Sequence, residues 1–382
     1  MSAARKIVIF VPGLHAFGGV ERLVVDLSRF LHAQKMPHSI LSLSSSIDLA
    51  TYADWPMDVE TLRPARNPLT EARALGRFFR EPRNARIQAP LFFDLKSAFY
   101  AGLVRYPDFH LHLTDPPSLL PKDVSKFAFS LRHLFPQRAR ARKAVRGEVV
   151  HRINRCGVGR AASLIAMTNV IAKELDDLYS RRATIIRPGV QPPHSMPSAA
   201  RAGSGLRFLS VSRLEESKRI DWILRAFAQL EAAGARLSDQ VDWKLDIVGD
   251  GSQAKALRDL SAQLGITDRV VFHGRLDDDQ LEVQFAAASA FLMPAVQGYG
   301  LPALESLIRG VPVILHRQSG VSEIIDSPPW VETIERGADD LAHAIRRLTT
   351  NIQSGMLQKQ TAPVVPTATG WANTIATACG WS

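Results

Sequence analysis

Short apolar runs alternate with longer amphipathic stretches along most of the chain. The runs that predict strands in the first half lie at residues 6–11, 38–43, 91–95, 109–113, 163–167 and 183–187. Those in the second half lie at residues 207–212, 243–248, 270–273, 290–293 and 311–315. Because the intervening stretches have the apolar spacing of helices, the pattern predicts parallel sheets built from strand–helix–strand units.

A stretch rich in Pro, Ser, Ala and Gly separates the two series of strands at residues 191–205, and this composition is typical of a linker. The chain has 382 residues, which is more than one hydrophobic core usually supports. The sequence therefore predicts two doubly wound α/β domains, at residues 1–190 and 206–366. A last segment, residues 367–382, contains a predicted helix from Trp371 to Cys379.

The composition is that of an ordinary globular protein, with 46% apolar and 22% charged residues. The two cysteines, Cys156 and Cys379, cannot form a disulfide framework and have no metal-ligand spacing. Pro12 interrupts the first apolar run, so we interpret that run as a strand and not as a signal peptide. Since no run reaches the roughly 18–20 residues of a membrane span, we expect a soluble cytoplasmic protein, at most peripheral on a membrane.

The formal charge of +10 is concentrated in one block. Residues 132–160 contain nine Arg and Lys residues but a single acid, Glu148, and aromatic residues precede them. A solvated basic face is one interpretation. A nucleic-acid surface is another, although no recognition motif accompanies the charge. We favour contact of residues 122–160 with an anionic membrane surface, because the segment mixes apolar and basic residues as interfacial segments do.

Polar residues and glycines follow three strands of the second series. Arg213 and Lys218 lie five residues apart after strand 207–212, where both cations can reach one diphosphate. Gly249 begins a tight turn after strand 243–248. In open α/β sheets, ligands bind at the carboxyl ends of strands, so these turns are candidate parts of one site.

The third of these segments, Pro294–Glu305, combines glycines with a helix start. Gly298 and Gly300 let main-chain N–H groups approach an anion at a helix N-terminus. Pro302 suits the first helical turn, and Glu305 follows one turn later, where its carboxylate can accept hydrogen bonds from ribose hydroxyls. A glycine turn followed by a glutamate also occurs on helices that bind nothing, and this alternative stays open for the segment alone.

Several segments together resemble a known family. They are "FLSVSRLEESKRIDWILRAF", "LDIVGDGS", "VVFHGRLDDDQLEVQFAAASAFLMPAVQGYGLPALESLIRGVPVIL" and "SGVSEIID", which cover residues 207–326. They look like the donor half of glycosyltransferase family 4, retaining enzymes of the GT-B fold. More loosely, "GLHAFGGVERLVVDLSRFL" resembles the family's glycine-rich first loop. The resemblance implies two Rossmann-like domains that face each other across a cleft, with a C-terminal helix that returns to the first domain.

The resemblance also implies roles for particular residues. It assigns Arg213 and Lys218 to the donor diphosphate and Glu305 to the ribose. The remaining donor-binding positions that it implies are Gly18, Gly19, Gly249, Gln297, Gly298, Tyr299, Gly300 and Leu301. Gln297 departs from the family's pattern, which has glutamate there, so sugar binding is retained but any role that needs a carboxylate is in doubt.

The first domain departs from the family's pattern as well. Family members have a histidine near the sugar, whereas this chain reads "DFHLHLTDPPSLLP". Matching Asp115 to the family's acid leaves Thr114 at the place of the histidine, and His112 is then the nearest histidine. A structural role for His112 is the alternative. We prefer His112 and Asp115 as residues that line the cleft.

The implied activity is transfer of a sugar from a nucleotide sugar to a hydroxyl, with retention of configuration. The implied mechanism needs neither a metal nor another cofactor. Asp277–Asp279 resemble a metal-binding run of carboxylates, but they precede a helical pattern, and carboxylates suit a first helical turn. A glycan or lipid-linked acceptor in cell-envelope synthesis is the expected partner. The alternative is a catalytically silent nucleotide-binding scaffold protein, for which Gln297 is the argument.

Overall fold

The computed structural model describes residues 6–64, 67–119, 139–193, 205–232 and 242–381. The chain divides into two compact units. The first comprises Met1–Pro188 together with Ala368–Ser382, and the second comprises Gly189–Thr367. Each unit contains a parallel sheet.

The first unit has a seven-stranded sheet in the order β3-β2-β1-β4-β5-β6-β7. Its strands are β1 (Lys6–Val11), β2 (His38–Ser42), β3 (Val59–Thr61), β4 (Ile87–Phe93), β5 (His110–Leu113), β6 (Ser163–Ala166) and β7 (Thr184–Ile185). Its helices are α1 (Gly19–Ala33), α2 (Pro68–Arg80), α3 (Asp94–Val104), α4 (Ala139–Arg160), α5 (Asn169–Tyr179) and α12 (Ala368–Ala378). The order along the sheet reverses between β1 and β4.

The second unit has a six-stranded sheet in the order β10-β9-β8-β11-β12-β13. Its strands are β8 (Leu206–Val211), β9 (Trp243–Val248), β10 (Val270–Gly274), β11 (Ala290–Met293), β12 (Val313–His316) and β13 (Val331–Ile334). Its helices are α6 (Ile220–Ala232), α7 (Ala254–Gln263), α8 (Asp278–Ala287), α9 (Leu301–Ile308), α10 (Ser322–Ile325) and α11 (Gly337–Gln353). The order reverses between β8 and β11, as in the Rossmann arrangement.

Large apolar side chains fill the interior of the second unit between its sheet and its helices. The Phe227 ring packs between Phe208 and Trp243, at centroid distances of 4.9 and 4.4 Å. All three residues are buried in one cluster that includes apolar residues of α6 and α11. This core holds β8 and β9 in place, and the loops that follow these strands start from a rigid base.

The predicted strands are present, and the part of the chain that the structure describes contains two further strands that were not predicted. The missed strands are β3 (Val59–Thr61) and β13 (Val331–Ile334), each at the edge of its sheet. Both contain the sequence Val-Glu-Thr, and neither is a continuous apolar run. Edge strands are covered less completely than central ones, so a search for apolar runs finds them less readily.

The C-terminal helix belongs to the first unit, as predicted. Helix α12 packs against α1, and its Trp371, Ala372 and Ile375 are buried. The segments by which the chain enters and leaves the second unit lie side by side. The Val190 N–H of the first donates to the Pro366 carbonyl of the second at 3.0 Å. No helix in the described ranges is both long enough and apolar enough to span a membrane.

Two glycines allow helices α3 and α4 to approach closely. A Cβ atom on Gly157 of α4 would lie 1.8 Å from the Ala98 carbonyl oxygen of α3, and one on Gly102 would lie 2.3 Å from the Ile153 oxygen. Backbone atoms cannot yield as a flexible side chain can. The contact between the two helices therefore requires glycine at both positions.

We expect Gly157→Ala to lower the free energy of unfolding of the first unit by about 1–3 kcal/mol, the usual range for overpacking. Gly159→Ala is the matched control, because a Cβ there meets nothing within 4 Å and alanine favours a helix by less than about 1 kcal/mol. Urea unfolding followed by circular dichroism measures both. Equal stability of the two variants would contradict the packing argument.

Candidate active site

The reversal of strand order between β8 and β11 defines a crevice at the carboxyl edge of the second sheet. Two loops leave this edge in different directions, residues 212–219 after β8 and residues 294–300 after β11. In doubly wound sheets this switch point is where ligands bind. The structure thus brings together two of the loops that the sequence singled out.

The loop after β8 carries the two predicted cations. Arg213 is exposed, and Lys218 is half-buried at the end of a short 3-10 helix. Glu215 lies between them, but its carboxylate accepts hydrogen bonds from the Ser252 hydroxyl and N–H, at 2.6 and 3.2 Å. These hydrogen bonds hold the pKa of the Glu215 carboxyl below its usual range. The acid is therefore anchored to the neighbouring loop after β9.

Gly249 acts by letting two loops approach each other. Its φ angle is +129°, and a Cβ atom there would lie 1.8 Å from the Ser212 carbonyl oxygen. Its N–H donates to the Gly274 carbonyl at 2.7 Å, so this amide is already engaged within the protein. The sequence analysis placed Gly249 among the donor-binding residues. The geometry supports an indirect role, in which Gly249 places the loop that carries Arg213.

Hydrogen bonds join the loop after β11 to the loop after β12. The Gln297 N–H donates to the Ser319 hydroxyl oxygen at 3.1 Å, and the Gln297 carbonyl accepts from the Gly320 N–H at 3.2 Å. The Val321 N–H donates to the Tyr299 carbonyl at 3.0 Å. These hydrogen bonds hold the backbone of the glycine segment against the loop after β12. Sequence reasoning did not single out Ser319, although it lies in the "SGVSEIID" segment.

Gly300 is the N-cap of helix α9 and has a φ of +117°, a conformation that favours glycine. A Cβ atom there would also lie 2.9 Å from the Met293 side chain. Leu301 begins the helix, and Pro302 occupies its first turn as predicted. Glu305 lies one turn further and is half-buried, while Gly298 in the preceding loop is also partly exposed. Helix α9 therefore begins at the crevice. Its first main-chain N–H groups lie where an anion site needs donors.

One contact bridges the two loops directly. The Lys218 ammonium donates a hydrogen bond to the Gln297 side-chain oxygen at 2.5 Å, although the residues lie 79 positions apart. The contact lies at the switch point, between the loops after β8 and β11. It brings together a cation and an amide that the sequence had assigned to one site.

In the first unit, Gly18 and Gly19 lie at the start of α1, in the segment that follows β1. The Gly18 N–H donates to the Glu21 carboxylate at 3.1 Å, which forms part of the helix cap. Both glycines are exposed, and a Cβ atom on Gly19 would meet nothing within 4 Å. Packing within the unit therefore does not explain glycine at position 19.

The structure supports the structural alternative for His112. Its ring is completely buried, 4.9 Å from the Phe93 ring and edge-on to Trp371 at 6.0 Å. Burial lowers the pKa of His112 to about 3, so the ring is neutral at physiological pH. The preference for His112 as a residue that lines the cleft is corrected accordingly. Asp115 differs, because its side chain is exposed beyond the end of β5.

Asp94 is a further residue at the first unit's switch point, and sequence reasoning missed it. It follows β4 directly, has a φ of +68°, and accepts a hydrogen bond from the Thr114 hydroxyl. Burial above all, together with the charges of Asp115 and Glu21, raises the pKa of the Asp94 carboxyl to about 6, against the lowering effect of the Thr114 hydrogen bond. The apolar run at 91–95 had placed Asp94 inside a strand. The signal that sequence reasoning could have used was an acidic residue at the end of a buried apolar run.

Asp277–Asp279 lie at the start of α8, as predicted. The Asp277 carboxylate accepts from the Gln280 N–H at 2.8 Å, and the Gln280 side chain accepts from the Asp277 N–H at 3.1 Å. This reciprocal pair is a capping box. Among the described residues, no group of three or more His, Cys, Asp or Glu side chains could hold a metal ion.

Comparison with known proteins agrees with this geometry. Residues 195–361 match the family model described as glycosyl transferases group 1. The D-inositol 3-phosphate glycosyltransferase of Acidothermus cellulolyticus is 31% identical over 185 residues, which are 44% of this chain and 41% of that protein. The alpha-monoglucosyldiacylglycerol synthase of Streptococcus pneumoniae is 33% identical over 138 residues, 36% of this chain and 30% of that one. The chain thus spans less than half the length of these relatives.

Solved structures show the same fold over nearly the whole chain. A lipopolysaccharide outer core galactosyltransferase, WaaB, superposes with a TM-score of 0.68 at 16% identity, covering 98% of this chain and 99% of that one. Anabaena HepE in complex with UDP and glucose has a TM-score of 0.70 at 15% identity, with the same coverage. The predicted GT-B fold class is confirmed, and residues 195–361, which lie within the second unit, are similar to the glycosyl transferases group 1 family.

We expect Asp94 to make the stability of the first unit fall as pH rises from about 4 to 6. Its pKa is raised from 3.8 to about 6 on folding, so the native state binds more protons than the unfolded state in this window, and stability decreases towards neutral pH. The ionised group costs on the order of 3 kcal/mol at pH 7.

Asp94→Asn should remove this part of the pH dependence, as measured by urea unfolding at pH 4.5, 5.5, 6.5 and 7.5. Asp108→Asn is the matched control, because Asp108 also has a positive φ, 55°, but is exposed. If Asp94→Asn and the parent had the same pH dependence, the buried carboxyl would not be the cause.

Proposed function

We propose that the protein is a retaining glycosyltransferase that moves a sugar from a UDP- or GDP-linked donor to a hydroxyl of a glycan or lipid-linked acceptor. The observation that carries this proposal is the Lys218–Gln297 contact at the switch point of the second sheet. It unites a loop with two cations and a glycine loop that begins a helix. Such a combination suits a diphosphate, because charge-assisted hydrogen bonds and helix N–H groups bind phosphate oxygens.

Arg213 and Lys218 would act on the leaving group. As the bond between sugar and diphosphate breaks, negative charge develops on the phosphate, and cations held in place stabilise it. The main-chain N–H groups of Tyr299, Gly300 and Leu301 would assist, and Glu305 would accept hydrogen bonds from the ribose hydroxyls. In this proposal the departing diphosphate deprotonates the acceptor hydroxyl on the same face of the sugar, which yields retention. No step needs a metal ion.

The acceptor would be held by the first unit. Its candidate group is Asp115, which follows β5, since ligands bind doubly wound sheets at the carboxyl ends of strands. Gly18 and Gly19, which follow β1, stay predicted donor-binding positions. Some similar proteins are named for lipopolysaccharide or diacylglycerol products. These names support a cell-envelope acceptor, and with it a cytoplasmic protein at the inner face of the membrane.

A catalytically silent scaffold is the alternative that Gln297 raised. The similarity to proteins named as glycosyltransferases favours the enzyme over this alternative. An enzyme should consume a nucleotide sugar when an acceptor is present, while a scaffold should bind nucleotide without turnover. We therefore keep the enzyme as the proposed function.

We expect Arg213→Ala to weaken nucleoside-diphosphate binding by about 1.5–3 kcal/mol, the range for hydrogen bonds to charged groups. Calorimetry with UDP and GDP measures this loss. Arg225→Ala is the matched control, because Arg225 is an exposed arginine on α6 of the same unit. Unchanged UDP and GDP affinity in both Arg213→Ala and Lys218→Ala would remove the donor-site assignment.

Turnover of the nucleotide sugar is a separate test. Glu305→Ala should abolish turnover, and the parent's turnover should survive EDTA.

The basic segment supplies a second test, of membrane contact. Residues 120–138 lie outside the described residues, as do the side chains of residues 139–146 in α4. The proposal therefore rests on the charge of residues 132–160, where each basic residue near an anionic leaflet is worth about 1 kcal/mol. Only some of these residues can face a surface at once.

Vesicles that contain anionic lipid should co-sediment the protein at low salt and retain little of it in about 0.5 M salt, where screening shortens the range of the attraction. Replacing Arg138, Arg140, Arg142 and Lys143 by Ser should reduce this binding. The control replaces four exposed basic residues of the same unit, Lys35, Arg73, Arg77 and Arg80. Equal losses in the two variants would indicate a general charge effect and not a membrane-binding segment.

A further inference from the structure

The side-chain amide of Gln297 has a defined orientation. Its nitrogen donates to the Ala295 carbonyl at 3.4 Å, and its oxygen accepts from the Lys218 ammonium at 2.5 Å. The opposite orientation would place an NH₂ group against the ammonium and an oxygen against a carbonyl, and neither pair can form a hydrogen bond. The network therefore fixes which end of the amide faces Lys218.

The backbone of Gln297 is fixed as well. Its N–H donates to the Ser319 hydroxyl, and its carbonyl accepts from Gly320. Ser319 is itself buried and donates to the Ala295 carbonyl at 3.3 Å. With both main-chain groups and both ends of the side chain engaged, Gln297 presents its side-chain oxygen to Lys218 as a preformed acceptor.

A neutral acceptor affects the lysine differently from a carboxylate. An amide oxygen orients the ammonium and adds no negative charge beside it. A carboxylate at the same distance would offset much of that charge and would also repel a diphosphate, since unit charges a few Å apart interact strongly in a partly buried site. Glu215, the acid between the two cations, is hydrogen-bonded to Ser252 at 2.6 Å. It is thus anchored to a neighbouring loop.

We propose that Gln297 is a positioning residue that orients the Lys218 ammonium and places no negative charge beside the diphosphate. This inference rests on the proposed function, because the diphosphate is the ligand concerned. Its consequence is tighter binding of the diphosphate than a carboxylate at position 297 would allow.

Three variants separate charge from shape. Gln297→Glu keeps the length of the side chain and adds a negative charge. Gln297→Met keeps the length, stays neutral and removes the acceptor. Gln318→Glu is the matched control, because Gln318 is exposed in the loop after β12 and receives the same charge. The probes are UDP and GDP, with uridine and guanosine as ligands that lack phosphate, and calorimetry measures each affinity.

We expect UDP or GDP affinity to fall in the order parent, Gln297→Met, Gln297→Glu. The loss for Gln297→Glu should be roughly 5- to 150-fold, the usual range for coupled groups, and smaller at high salt. Nucleoside affinity should not change, nor should Gln318→Glu alter any affinity. In a Lys218→Ala background the further loss from Gln297→Glu should shrink at least threefold, because the charge to be offset is absent.

The outcomes distinguish this inference from the proposed function. If Arg213→Ala and Lys218→Ala weaken diphosphate binding but Gln297→Glu does not, the inference is overturned and the donor site stands. If Gln297→Met is as weak as Gln297→Glu, the charge has no part and the inference is also overturned. If none of these variants changes diphosphate affinity, the donor site itself is refuted. Thermal unfolding of each variant confirms that affinities are compared between folded proteins.

Discussion

The constraint on which the candidate site depends is the reversal of strand order in the second sheet. Because β8 and β11 are neighbours whose following segments lead to opposite sides of the sheet, no connection covers the edge between them. Residues that follow the two strands can therefore meet there across a large separation in sequence. The Lys218–Gln297 hydrogen bond is the direct result.

Backbone contacts between loops hold this arrangement in place. Gly249 lets the loop after β9 lie against the Ser212 carbonyl, and Ser319 joins the loop after β12 to that after β11. The loops at the crevice are thus held by close backbone contacts and hydrogen bonds to the loops that follow the next strands of the sheet. Contacts of this kind reduce the conformational freedom that a ligand of the candidate site would otherwise have to remove.

The first unit repeats the reversal with different chemistry. Between β1 and β4 it presents the exposed Gly18 and Gly19 and the buried Asp94, and not a pair of cations. The order of strands is similar in the two sheets, whereas the charge at their switch points is not. A shared fold therefore does not imply a shared ligand, and the two sites need separate functional arguments.

Local sequence by itself determined most of the strands, the start of α8 at Asp277 and the turn into α9, because apolar runs, capping residues and glycines act on near neighbours. It also pointed to Arg213 and Lys218, since polar residues at strand ends are visible without a structure, whereas the resemblance to a known family pointed to Gln297. Only the tertiary structure decided that His112 is buried beside Trp371, that Asp94 is a desolvated acid, and that Gln297 faces Lys218. Burial and contact depend on elements far apart in the chain. The edge strands β3 and β13 were missed for the same reason, because pairing with a neighbouring strand, and not a local apolar run, makes them part of the sheet.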